Sequence, residues 1–294
     1  MDGRRYIICK NKEGAEIRIG EKGFAPFVLM QADGVYAISN NVATTENTMM
    51  DGATYHGSVA NMRNIVLTIA SMSPYPKNRA ILDEVFKEGD AGVLTFHEDG
   101  GIDKVIDYYV ESIETDGAPA SVIHTISLLC PDPFFYAPVD TIVEIARWDG
   151  LFEFLHEFVA EGEELGAKSD IRLVEIHNKN LVDRIGFKAT ISCTGPVTNP
   201  SISIVETGEK IQIGSKARVF TLLVDDRLTI TTETGNKHVW LTRGGVTEEI
   251  NYYLTQDSTF LQLRRGVNTI GYAAASGEEY MTVKIEYRMK FARA

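Results

Sequence analysis

Apolar residues recur at every second place through much of the first 70 positions. Residues 6–9, 16–19 and 35–39 and the longer run carrying Ile65, Leu67 and Ile69 each read as a strand with one face on a core. Gly14, Gly34, Gly52 and Gly57 punctuate them. Over residues 76–88 the period changes, because Ile81, Leu82, Val85 and Phe86 share one stripe of an amphipathic helix. Pro76 suits its first turn and Gly89 its C-terminal cap. Strand character returns at residues 93–97, turns at Glu98-Asp-Gly-Gly101 and resumes through Val105, Asp107 and Tyr109. A further turn is expected at Thr115-Asp-Gly-Ala-Pro119, before a last strand over 121–129. The pattern predicts an α+β unit with one helix on a mostly antiparallel sheet.

Two proline-punctuated segments break this rhythm. In Leu128-Leu-Cys-Pro-Asp-Pro-Phe-Phe-Tyr136, Pro131 and Pro133 remove two backbone donors, so the strand before them cannot go on pairing and Phe134, Phe135 and Tyr136 must pack elsewhere. In Thr194-Gly-Pro-Val-Thr-Asn-Pro-Ser-Ile202, Gly195-Pro196 and Asn199-Pro200 stop the chain twice before the alternation of Ile202 and Ile204 opens a new β layer.

From residue 171 onward the segments are short and alternating. Strands are expected at 172–176, 186–193, 202–205, 210–213, 219–224, 228–232, 239–241, 259–263, 266–272 and 280–287, the layout of a β-sandwich of the jelly-roll kind. Residues 150–170 allow two readings. Leu151, Phe154, Leu155, Phe158 and Val159 form one face of a helix with glutamates opposite, but Gly162 and Gly166 weaken it and the same stretch can lie extended across a sheet face. The whole is mainly β, with domains expected at 1–138 and 139–294.

The chain has 294 residues, long enough for two cores, and 44% apolar content marks it as globular. No apolar stretch reaches the roughly 20 residues that span a bilayer, so no membrane insertion is expected. Lys10-Asn-Lys-Glu-Gly14 follows the first apolar run too soon for a signal-peptide core. Cys9, Cys130 and Cys193 are odd in number and widely spaced, which fits a reducing cytoplasm better than disulfides or zinc. A net charge of -12 argues against specific nucleic-acid binding, whose affinity rests on lysine and arginine.

Reactive constellations do not assemble from the pattern, so no catalytic residue, metal ligand or cofactor is expected. The histidines His56, His97, His124, His156, His177 and His238 lack metal-ligand spacing and read as surface or turn residues. Gly57-Ser58 lacks the nucleophile-elbow context, and Glu98-Asp-Gly-Gly-Ile-Asp103 fails the calcium-loop spacing and reads as a hairpin turn. The glutamates at 153, 157, 161, 163 and 164 read as a solvated face rather than a glycosidase pair. In the second domain Trp240, Tyr252, Tyr253 and Tyr272 could stack on a sugar; the competing role is core packing.

Several ordered motifs resemble the distal tail proteins of long non-contractile-tailed phages. They include Gly52-Ala-Thr-Tyr-His-Gly57, Arg63-Asn-Ile-Val-Leu-Thr-Ile69, Asn78-Arg-Ala-Ile-Leu82 and Cys130-Pro-Asp-Pro-Phe134. In the second half the resemblance runs through Gly150-Leu-Phe-Glu-Phe154, Gly166-Ala-Lys-Ser169, Val174-Glu-Ile-His-Asn178, Cys193-Thr-Gly-Pro-Val-Thr-Asn-Pro200, Gln256-Asp-Ser-Thr-Phe260 and Leu263-Arg-Arg-Gly-Val-Asn268. Leu155 and Arg265 depart from it, each standing where the family carries proline, and the resemblance implies an extended path for residues 150–170. The resemblance implies a homohexameric ring of N-terminal domains around a channel and galectin-like C-terminal sandwiches projecting outward. It places the ring at the virion tail tip, assembled in the host bacterial cytoplasm. Its implied partners are the tail tube protein, the tail-tip or baseplate hub protein and receptor-binding proteins. The first domain is expected to offer free sheet edges for ring closure. A negative lumen would repel DNA phosphates within a Debye length of about 8 Å. The alternative function is a carbohydrate-binding module contacting cell-wall glycan; a hydrolase is a third.

Overall fold

The computed structural model describes residues 5–21, 25–46, 49, 51–118, 121–145, 148–150, 166–168, 173–179 and 182–294. The chain divides into two compact units, Met1–Pro138 with Lys290–Ala294, and Val139–Met289. Residues 290–294, placed with the second domain by the sequence reading, therefore return to the first unit.

In the first unit β1 (Arg5–Asn11), β2 (Glu16–Gly20), β3 (Phe27–Asp33), β4 (Asn40–Glu46), β5 (Ala53–Ala60) and β6 (Arg63–Ser71) precede helix α1 (Tyr75–Val85). β7 (Ala91–Glu98), β8 (Lys104–Ala118), β9 (Ser121–Cys130) and β10 (Phe135–Tyr136) follow it. The main sheet runs β10-β8-β7-β1-β2-β3-β6-β9, and β9 pairs back onto β8. β8 can serve both neighbours because it is long. Its first part pairs with β7 from Lys104 to Tyr109, and its second with β9 from Tyr109 to Ala118. A bulge between Val110 and Ser112 bends it in the middle. Gly89, in the left-handed region at φ 85°, donates to the Val110 carbonyl at 2.8 Å, and Val110 donates to Asp90 at 2.9 Å.

That closure corrects three expectations. The sheet is wrapped rather than open, so the free edges expected of it are largely consumed. Thr115–Ala118 are strand, not turn. Gly89 shapes the approach to β7, while the helix itself ends at Val85 with Phe86 as its cap. Residues 35–39, expected as a strand, are bend and loop, because Val35 is buried at a turn after Gly34. A Cβ on Gly34, whose φ is 78°, would strike the Asn64 carbonyl, so only glycine fits there.

The core follows the alternation of the strands. Ile65, Leu67 and Ile69 from β6 meet Ile7, Cys9, Leu94, Ile126, Leu128 and Cys130, and α1 adds Leu82 and Val85. The helix is pinned at both ends: Asn11 from β1 donates to the Glu84 carbonyl at 2.9 Å, and Asn78 in the helix donates to the Met72 carbonyl before it. After β9 the prolines end the ladder as expected, and Phe135 is buried where it pairs with Phe291.

In the second unit β11 (Thr141–Glu144), β12 (Trp148–Gly150), β13 (Gly166–Lys168) and β14 (Leu173–Asn178) lead to β15 (Phe187–Cys193), β16 (Val197–Thr198), β17 (Ser201–Ile204) and β18 (Lys210–Gln212). Then come β19 (Thr221–Leu222), β20 (Arg227–Glu233), β21 (Asn236–Arg243), β22 (Val246–Glu249), β23 (Gly266–Ala273) and β24 (Met281–Tyr287), before β25 (Lys290–Phe291) in the first unit. One sheet has the order β11-β24-β15-β20-β21-β22 and the other β14-β23-β17-β18. Ala189, Ile191, Leu228, Ile230, Val283 and Ile285 from the first share a core with Ile202, Ile204, Ile270 and Tyr272 from the second.

The second proline signature carries the chain from one sheet to the other, between β15 and β17. Asn199, at φ 49°, accepts from Phe220 N at 2.9 Å through its side chain, and its own N–H donates to the Phe220 carbonyl at 2.9 Å. Residues 259–263 are not a strand; Leu263 makes only an isolated bridge with Ile185. Of 150–170, the backbone of Trp148–Gly150 pairs with Gly166–Lys168, while residues 151–165 and 169–170 lie outside the described residues.

Candidate functional site

The first candidate is a hairpin that belongs to no other sheet. β4 and β5 pair only with each other from Asn40↔Ala60 to Glu46↔Ala53, with a bulge between Ala43 and Thr44 opposite Gly57. Pairing puts Val42, Thr44 and Tyr55 on one face and Asn41, Thr45 and Val59 on the other. Both faces are open: Val42, Tyr55 and Val59 are 52%, 63% and 73% exposed. Its internal contacts are light, Tyr55 Oη to Ser58 Oγ at 3.2 Å and His56 Nε2 to Thr45 Oγ1 at 2.8 Å. At its base Asn61 N donates to Ser39 O at 2.8 Å. A two-stranded ribbon with neither face covered is marginal by itself. The sequence reading found no strand at 40–46 or 53–60. The signal was faint: threonine and valine alternate with small residues, with no apolar run.

Arg63 sets the base of β6 and was likewise unread. It is buried, and its guanidinium donates to four carbonyls, Pro133 at 2.7 Å, Gly34 at 2.6 Å, Val35 at 3.0 Å and Ala292 at 2.6 Å. Desolvation pulls its pKa down, but a guanidinium stays charged, and the carbonyls with the Phe135 ring at 4.9 Å replace water.

In the second unit the four candidate aromatics separate. Tyr272 is 7% exposed and sits in the core, which removes it from any ligand surface. Trp240 stands half-buried on the outward side of β21, its ring 5.4 Å from that of His238. Only Tyr252 and Tyr253 come together, in a single 3-10 turn over Asn251–Tyr253, with ring centroids 4.8 Å apart. Tyr253 leans edge-on against Phe220 at 5.2 Å and is half-buried, whereas Tyr252 is 59% exposed. A cavity of about 250 Å³ opens beside them, lined also by Ser215, Arg218 and Gln256.

The histidines divide by environment. His124 is buried, correcting its reading as a surface residue: Nε2 meets Ser71 Oγ at 3.0 Å and Nδ1 meets Thr115 Oγ1 at 3.0 Å. Its place was legible, since it is in phase with Ile126, Leu128 and Cys130. Burial, with Arg79 adding to it, lowers its pKa. His97 contacts Asp103 at 2.6 Å and Asp99 at 3.3 Å, and the Asp103 hydrogen bond raises its pKa. Among the described residues no group of three or more His, Cys, Asp or Glu is placed to hold a metal, and no helix is long and apolar enough to cross a membrane.

Comparison with known proteins adds identity to this geometry. The sequence profile of the siphovirus-type tail component C-terminal domain matches residues 184–291. This part of the chain is a siphovirus-type tail component domain. The chain is similar over both units to the crystal structure of phage SPP1 Dit, described as a paradigm of the hub adsorption apparatus in phages infecting Gram-positive hosts. The TM-score is 0.65 at 12% identity, covering 96% of this chain and 98% of that one. It is also similar to structures of the phage p2 baseplate in its activated conformation. The calcium form gives a TM-score of 0.50 at 11% identity and the strontium form 0.50 at 10%, each covering 99% of both chains. No curated protein matches. The fold of the chain is therefore Dit-like and mainly β.

Proposed function

We propose that this chain is a structural virion protein that forms a ring of six at the distal end of a tail tube. The first units join one another, and the ring serves as hub for tail-tip or baseplate and host-recognition proteins. The observation that carries this reading is the β4–β5 hairpin, whose two faces and two edges have no partner strand or core among the described residues. A ribbon of this kind on each copy, laid against a different surface of the next, is a heterologous contact, and such contacts close into rings. Covering Val42, Tyr55 and Val59 contributes about 1.5–3 kcal/mol for each side chain fully buried. The Dit-like fold supports the same role, since SPP1 Dit is itself described as a hub. The net charge of -12 suits a wall that DNA passes without adhering. Assembly would occur in the host cytoplasm, where the free thiols stay reduced.

The test is light scattering with negative-stain imaging of the purified chain, then electron cryomicroscopy of the tail end. Rings of six in which the first units touch are expected. A tail end whose first units never meet would end this reading.

A second reading concerns the second unit. The paired rings of Tyr252 and Tyr253 beside an open cavity favour a glycan contact, one exposed ring offering its face to a sugar.

A further inference from the structure

We infer that the cavity beside Tyr252 and Tyr253 selects a saccharide carrying a negative charge, a carboxylate or phosphate on the sugar, with Arg218 as the selecting residue. The inference rests on the glycan reading of the second unit and adds the ligand class to it.

The cavity is built by two loops that tie each other down. Gly214 N donates to Tyr253 O at 2.9 Å and Thr255 N to Gln212 O at 3.2 Å, so the turn after β18 and the turn over Asn251–Tyr253 hold one geometry. Gly214 has φ 87°, and a Cβ there would strike the Asn199 side chain and Phe220, so this approach needs glycine. Within the first loop Ser215 N donates to Arg218 O at 2.8 Å and Arg218 N to Ser215 Oγ at 3.1 Å, which fixes the backbone carrying the arginine.

The guanidinium is then aimed from outside. Its Nη1 donates to Tyr252 O at 2.6 Å, and its carbon lies 5.8 Å from the centroids of both tyrosine rings. Arg5, Arg79, Arg243, Arg264 and Arg288 each pair with a carboxylate. Arg218, like Arg184, Arg227 and Arg265, has no ion pair to a carboxylate among the described residues, and of these four it is the one that lines the cavity. The nearest acid along the chain past Gln256 is Asp257, and Lys210 already holds it at 2.9 Å. One guanidinium nitrogen is thus spent on position, and the others remain for an anion in the fork geometry that matches carboxylate and phosphate.

The remaining groups suit a sugar. The Gln256 amide and the Tyr252 hydroxyl hydrogen-bond to no described residue, so they offer donors and acceptors, and the exposed Tyr252 ring offers an apolar face. A volume of about 250 Å³ takes one sugar ring rather than a folded peptide segment. The combination of ring face, amide and unpaired cation is that of an acidic monosaccharide site at the end of a chain.

The experiment titrates the full chain with methyl β-D-glucuronide, glucose 6-phosphate and methyl β-D-glucoside by saturation-transfer NMR and calorimetry. An anionic sugar is expected to bind at least about tenfold more tightly than the neutral glucoside. Arg218→Gln should erase that preference, and Arg218→Lys should retain part of it. Which anionic sugar wins separates a uronic acid from a sugar phosphate as the source. Tyr252→Ala should weaken all three sugars together, and an unchanged melting temperature certifies each fold. Equal binding of charged and neutral sugars overturns the inference while leaving the glycan reading standing. No binding by any of the three overturns both. Binding of an aspartate-rich peptide where the sugars fail assigns the cavity to a protein partner and overturns both as well.

Discussion

Arg63 shows how one side chain can hold a fold together where no strand can. The turn at Gly34–Val35, the proline exit at Pro133 and residue Ala292 all present carbonyls toward the base of β6, and a single guanidinium answers all of them. Arg63→Met keeps the aliphatic stem but leaves four acceptors without that donor. The loss should be about 3 kcal/mol or more, since bonds to charged donors are the strong ones and buried orphans cost extra. Urea denaturation checks this, and a change under about 1 kcal/mol would show that water replaces the arginine. Arg63 was in principle legible, because it occupies the same alternation as Ile65, Leu67 and Ile69; an arginine in phase with a core must have found partners. Which partners could not be read, because they are backbone atoms that any residue supplies. The histidines make a second test at this scale. His97 is raised by Asp103 and His124 lowered by burial, so NMR titration of their ring protons should place one midpoint above the ordinary value near 6.5 and the other below. The two oppose each other in stability. His124 contributes stability that is lost as pH falls below about 6.5, and His97 contributes stability that is lost as pH rises through its raised pKa. Midpoints on the same side of 6.5 would contradict the geometry.

Elements with strong periodicity were legible and those without it were not. α1, β7, β9, β15 and β24 follow from their apolar stripes, and the two proline signatures mark where the chain leaves a sheet. β8 was cut short in the reading because Thr115, Asp116 and Gly117 are turn-forming residues. Their pairing with His124, Ile123 and Val122 overrides that preference, since it closes the sheet upon itself. β4 and β5 were missed for the opposite reason, as nothing buries them within one chain and their sequence carries no burial pattern. That mismatch is what the proposed ring would account for, a neighbouring copy covering a strand pair that gains nothing from its own fold. Val42→Lys with Val59→Lys should therefore leave the stability of the isolated chain within about 0.5 kcal/mol, as exposed positions do. The same pair of changes should abolish self-association in light scattering. Rings that persist in this variant would exonerate the hairpin and shift the contact elsewhere.

At the scale of the molecule, two separate cores share one chain, and the end of that chain crosses back. Residues 290–294 give the first unit a strand pair at Phe135↔Phe291, the Ala292 carbonyl for Arg63 and a bond from Ala294 N to Val35 O at 3.3 Å. The three cysteines report on the two cores independently. Cys9 and Cys130 are fully buried in the first, and Cys193 is 8% exposed in the second. Burial raises all three thiol pKa values, that of Cys130 to about 12, so none is a ready thiolate in the folded chain and labelling follows opening. Deleting residues 290–294 removes contacts of the first unit alone, a loss of about 2 kcal/mol for a few buried contacts of this kind. Thiol labelling along a urea series, read by mass spectrometry, should show Cys9 and Cys130 reacting at lower urea than in the parent while Cys193 keeps its midpoint. If all three thiols moved together, the units would unfold as one body; if none moved, the returning strand would contribute nothing. The expected split would give the chain a first unit whose stability is completed by the residues that follow its second.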